Sequence, residues 1–113
     1  MQQDIINHVA DVVTRSAQEI LGDNLHSIIL YGSCARGDFN EDSDIDIMIL
    51  ADVLDDDRYI LNSKIGESVC EIEIEYGIFI SISLYNKNHF NEYFPISPYY
   101  QNVMKDGVML FAS

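Results

Sequence analysis

Residues 27 to 50 constrain this chain more than any other stretch. A short apolar run, Ser27 to Tyr31 (SIILY), stops at Gly32-Ser33, and after ten further residues an alternating run begins, Asp44 to Leu50 (DIDIMIL). The first run fits a buried strand. In the second, alternation puts Ile45, Ile47 and Ile49 on one face and Asp44, Asp46 and Met48 on the other. The polar, acidic residues between Gly37 and Ser43 read as a loop, with Cys34 to Arg36 as a helical turn before it.

The flanking segments are read around these two strands. Residues 3 to 21 carry Ile5, Ile6, Val9, Val12, Val13, Ile20 and Leu21 at helical spacing, with Asp4 near the start and Gly22 at the stop. Asp55-Asp56-Asp57 opens a second helical stretch, in which Leu61, Ile65, Val69, Ile72 and Tyr76 keep the period. Residues 71 to 75 (EIEIE) alternate like a strand, but the upstream period runs straight into them, and the expectation is one continuous helix. Ile78 to Tyr85 (IFISISLY) is a third strand, rich in β-branched residues. A short helix follows near Asn88 to Tyr93. Another opens at Pro98, reaches Lys105 and ends at Gly107, and Val108 to Phe111 form a last short strand. The fold class is therefore α/β, a small mixed sheet backed by helices.

The whole chain, 113 residues, is expected to form a single domain, 1–113, with nearly half its residues apolar. Its formal charge of −13 repels phosphate backbones and argues against a broad nucleic-acid surface. That charge favours a basic protein partner or simple solubility. Cys34 and Cys70 are too few for a disulfide scaffold and are read as reduced thiols of a cytoplasmic protein. No apolar run is long enough to cross a membrane, and the start of the chain lacks the basic-then-apolar order of a signal peptide.

The chemistry is concentrated at Gly32-Ser33-Cys34-Ala35-Arg36-Gly37 and Ser43-Asp44-Ile45-Asp46. A strand ending in Gly-Ser can turn backbone N–H groups toward an anion. Glycine removes the Cβ that would block a phosphate, and Ser33 adds a hydroxyl donor. A lone Gly-Ser is more often just a helix N-cap. Asp44 and Asp46, two apart on a strand, project from one face and can share divalent cations; the plain alternative is a solvated strand face. Arg36 is placed equally well near phosphates or in an ion pair with Asp38 or Asp42.

Taken together, Gly32-Ser33, ten residues and Asp-x-Asp resemble the signature of the DNA polymerase β-like nucleotidyltransferase superfamily. With Ala35-Arg36-Gly37 and Ser43 in place, the chain is similar to the minimal nucleotidyltransferases (MNT proteins), and the resemblance covers most of its length. It implies the polymerase β-like fold, with Gly32 and Ser33 on the triphosphate, Arg36 beside it, and Asp44 and Asp46 as catalytic ligands of Mg²⁺. It implies transfer of a nucleoside monophosphate, AMP from ATP, to a hydroxyl. Small members of the family are typically antitoxins beside HEPN-domain ribonuclease toxins, some of which they modify with AMP on a tyrosine, and the acidity suits a partner whose surface binds RNA. Such a pair implies an oligomer with the partner. An antibiotic-modifying transferase is less well matched, because those enzymes usually carry an additional helical domain.

One departure stands out. The superfamily usually carries a third carboxylate on the next core strand, and IFISISLY has none. Ser81 or Ser83 occupies the position, with Glu73 and Glu75 just upstream. A missing base lowers rate by about two to four orders of magnitude without abolishing binding. The alternative function is thus a catalytically weak or inactive nucleotide-binding antitoxin that acts by contact.

Overall fold

A computed structural model describes residues 2–113. The first helix, α1 (Gln3–Leu21), buries Ile6, Val9, Val13, Ala17 and Leu21, a stripe at helical spacing. Gly22, at φ 54°, donates its N–H to Gln18 O and ends the helix, and a short 3₁₀ turn leads into β1 (Leu25–Tyr31). There follow α2 (Ser33–Arg36), β2 (Ile45–Ala51), α3 (Asp55–Glu67), α4 (Cys70–Tyr76), β3 (Ile80–Asn86), α5 (Lys87–Tyr93), α6 (Pro98–Asp106) and β4 (Val108–Ala112). No helix among the described residues is long and apolar enough to cross a membrane.

The four strands form one mixed sheet in the order β3-β2-β1-β4. The β1/β2 and β1/β4 pairs are antiparallel, whereas β2 and β3 run parallel and are joined through α3 and α4. Both faces of the sheet are apolar. On one, Ile28, Leu30, Ile45, Ile47, Ile49 and Leu84 pack with α1, Ile65 and Ile72. On the other, Ile29, Met48 and Leu50 meet Phe90 of α5 and Tyr100 and Val103 of α6. The alternation read along β2 therefore assigns its side chains to the two cores as expected, with the strand itself starting at Ile45, one residue after Asp44.

The expected single helix from Asp55 onward is two helices. Between them Ser68 N–H and Val69 N–H make tight i→i−3 bonds to Ile65 O and Gly66 O. The Ser68 hydroxyl donates to Ile65 O at 2.6 Å, competing for the carbonyl that a continuing helix would use. Beyond the break EIEIE is helical. A strand would place Ile72 and Ile74 on one face; here Ile72 is 8% exposed and Ile74 83% exposed. Ile72→Ala should thus cost about 2–5 kcal/mol, and Ile74→Ala should stay within about 0.5 kcal/mol of the wild type. Urea denaturation measures both; equal losses would contradict the helical assignment.

Candidate active site

The ends of β1 and β2 build the site. In the antiparallel ladder Tyr31 stands opposite Asp46, so the chain leaves β1 beside the point where the acidic segment enters β2. Gly32, the next residue, has φ 75° and ψ −157°, a conformation that residues with a Cβ rarely adopt. A Cβ there would lie 2.6 Å from Asp46 Oδ2. Glycine is required at this position by backbone conformation and by space, and the Asp46 carboxylate rests directly against the turn.

The turn continues into α2. Ala35 N–H and Arg36 N–H both donate to Gly32 O, and Gly37 N–H donates to Ser33 O. The N–H groups of Ser33 and Cys34, at the head of the helix, have no backbone acceptor among the described residues. The helix is capped by Gly32 with no side-chain bond, so the Ser33 hydroxyl is not spent as an N-cap. The buried Cys34 thiol donates to Asp44 O at 3.4 Å and ties α2 to the start of β2. Burial, and then Asp46, raise the pKa of that thiol, which keeps it protonated and unsuited to nucleophilic work. The loop between closes on itself: Asn40 N–H donates to Ser43 Oγ and Ser43 N–H to Asn40 O, while Phe39 packs on the core.

Asp46 is half-buried and Asp44 exposed. Burial, and then the charge of Asp44, push the Asp46 carboxyl above the usual range. Among the described residues neither acid takes part in an ion pair, and a cation would supply the counter-charge. Among the described residues no group of three or more His, Cys, Asp and Glu side chains could hold a metal ion. Two carboxylates still fit Mg²⁺, which commonly takes one or two of them and completes its shell with water and substrate phosphates. Arg36 lies at the far end of α2 and pairs with Asp38 at 3.2 Å and with Asp106 of α6 at 3.9 Å.

The parallel neighbour of Asp46 is Ser81, and that of Met48 is Ser83. No acid of β3 stands beside the pair. Glu73 is engaged elsewhere, its Oε2 accepting the Ile80 N–H at 3.0 Å from α4, and Glu75 is exposed on the same helix.

Sequence reasoning missed an aromatic floor beside Asp46. Tyr31 OH lies 2.8 Å from Tyr99 OH of α6, and Tyr85 meets both Tyr99 and Tyr100 edge to face. Burial raises the pKa of Tyr31 and of Tyr99, and Asp46 adds to the effect at Tyr31, so both remain neutral hydroxyls. The available signal was period two along β1, which puts Tyr31 on the face of Ile29.

Comparison with known proteins gives the family and the fold. Residues 11–97 match the family model described as "Nucleotidyltransferase domain". Two Methanocaldococcus jannaschii proteins, each named "Putative protein adenylyltransferase", are related. One is 35% identical over 88 residues, 77% of this chain and 79% of its own. The other is 36% identical over 81 residues, 72% of this chain but only 55% of its own length. A crystal structure of a toxin–antitoxin with AMP-PNP superposes with a TM-score of 0.58 at 19% identity, over 92% of this chain and 73% of that one, and so shares the fold.

The close approach at Gly32 has a measurable consequence. At Gly37, φ is 84° but nothing lies within 4 Å of an added Cβ, so alanine there meets only backbone strain. Gly32→Ala should lose about 1–3 kcal/mol for its conformation and more for the collision with Asp46. In urea unfolding its midpoint should fall clearly below that of Gly37→Ala; coincident midpoints would refute the contact.

Proposed function

The chain belongs to the nucleotidyltransferase domain family, and from that premise we propose that it transfers AMP from ATP to a protein hydroxyl, as the antitoxin of a HEPN-type toxin. The observation that carries the reading is the packing of Gly32 against Asp46, which sets two N–H groups with no backbone acceptor among the described residues, and two carboxylates, at one end of the sheet. The names of the relatives support adenylyl transfer to protein, and the toxin–antitoxin neighbour supports a protein partner.

In this reading residues 1–113 act as one domain. Asp44 and Asp46 hold Mg²⁺, and the Ser33 hydroxyl with the Ser33 and Cys34 N–H groups receives phosphate oxygens. Bound Mg²⁺ neutralises charge on the triphosphate and on the leaving pyrophosphate. The exposed ion pairs of Arg36 are each worth about 1 kcal/mol or less, so the guanidinium can exchange Asp38 for a phosphate. The acceptor oxygen bonds to the α-phosphorus, the bond to pyrophosphate breaks, and the hydroxyl proton leaves to solvent. Positioning and charge neutralisation supply most of the acceleration in such transfers, which tolerates the lack of a dedicated base.

Contact inhibition with little or no turnover is the second reading. The observation favouring it is Ser81 beside Asp46, where the superfamily usually carries a carboxylate. The two separate by mass spectrometry of the partner toxin after incubation with ATP and Mg²⁺. A gain of one AMP with wild type and none with Asp44→Asn/Asp46→Asn is the expected result. Equal silencing of the toxin by both proteins without a mass gain would establish contact and refute transfer.

A further inference from the structure

Strand β3 is an edge of the sheet, and its free side is protected unevenly. Because Phe79 O accepts from Ile45 N–H on β2, the odd residues of β3 turn their backbone toward β2 and the even ones away from it. Of these outward N–H groups, that of Ile80 is taken by Glu73 and that of Leu84 by Asn62 Oδ1 at 2.7 Å. Ile82 lies between them, and among the described residues no side chain accepts its N–H. The protein blunts this edge at Ile80 and at Leu84, and Ile82 between them keeps a donor and an acceptor to offer.

A cavity of about 270 Å³ opens at that gap, lined by Ile82, Ser83, Tyr85, Asp55, Tyr59 and Asn62, among others. Tyr59 is 81% exposed, a large aromatic surface with nothing over it. Asp55 begins the acidic turn Asp55-Asp56-Asp57, and the neighbouring Arg58 guanidinium lies over the Tyr85 ring, 5.7 Å from its centre. The cavity thus joins an unpaired strand edge, an aromatic wall and the Asp55 carboxylate, with Arg58 also on its lining but engaged over Tyr85, on a chain of net charge −13. Ser83, on its floor, is two residues along β3 from Ser81, the parallel neighbour of Asp46.

We propose that this gap docks an extended, basic peptide segment of the acceptor protein, which pairs with Ile82 and directs its hydroxyl side chain to the Asp46 end of the sheet. The inference rests on the transfer reading above and specifies how the acceptor is presented. Main-chain bonds to Ile82 fix its register, Tyr59 covers its apolar side, and Asp55 meets its positive charge. A strand added there lies about 10 Å from β2, two inter-strand spacings.

The test is an NMR titration of the full chain, without nucleotide or metal, with the peptide Lys-Val-Thr-Tyr-Thr-Val-Lys. Shifts should centre on the Ile82 and Ser83 amides and the Asn62 side chain. Affinity should fall about fivefold or more in Asp55→Lys and with added salt. Ile82→Pro, which removes only an outward N–H, should abolish binding. Backbone N-methylation of the peptide should do the same with the wild-type protein, which keeps the test decisive should the proline variant misfold. Absence of binding, equal binding of a peptide with Glu replacing both Lys, or indifference to N-methylation would overturn the proposal. Mg²⁺-ATP binding by the same samples is a separate readout: intact nucleotide binding without peptide binding removes the docking site alone, and the reverse removes the transfer reading.

Discussion

The contact between the Gly32 backbone and the Asp46 carboxylate is the constraint from which the rest of the site follows. It depends on the β1/β2 register, which places Tyr31 opposite Asp46. A slip of one residue in that ladder would turn Ile45, Ile47 and Ile49 to the wrong face and empty the core beneath α1. Register is therefore enforced by three buried isoleucines rather than by the acids. The energy that holds the site together is apolar burial, and the carboxylates ride on it at a cost: Asp46 is held half-buried near a like charge.

The two faces of the sheet divide the labour. Helices α1, α3 and α4 cover one face, and α5 and α6 cover the other around Met48 and Leu50. Beyond Met48 the second face ends in Asp46 beside Tyr31, whose ring meets Tyr99 and, through it, Tyr85. Tyr31 and Tyr99 provide a partly dry floor with neutral hydroxyls, which strengthens electrostatic interactions above it. Arg36, joined to Asp106, links α6 to α2 across the same end of the molecule.

Much of this was legible in the sequence because it is local. The stripe of α1, the alternation of β2, the stop at Gly32 and the proline opening α6 each depend on a few adjacent residues. The likeness of Gly32-Ser33 and Asp44-x-Asp46 to a known signature gave the family, which the family model and the 35% identical relative bear out. What was not legible depends on distant partners. The break at Ser68 arises from a hydroxyl competing for one carbonyl, which periodicity does not register. The tyrosine floor joins Tyr31 to Tyr99, 68 residues apart. Glu73 could not be placed until α4 was seen to carry it to the Ile80 N–H.

In the proposed function the two aspartates form a cation site whose strength depends on nucleotide. Calorimetric titration of Mg²⁺-ATP into wild type and into Asp44→Asn/Asp46→Asn tests this most directly. Wild type should bind, with affinity that collapses when the metal is removed, and the double variant should lose most of the metal-dependent part while remaining folded. Equal Mg²⁺-ATP affinity in the two proteins would contradict the site.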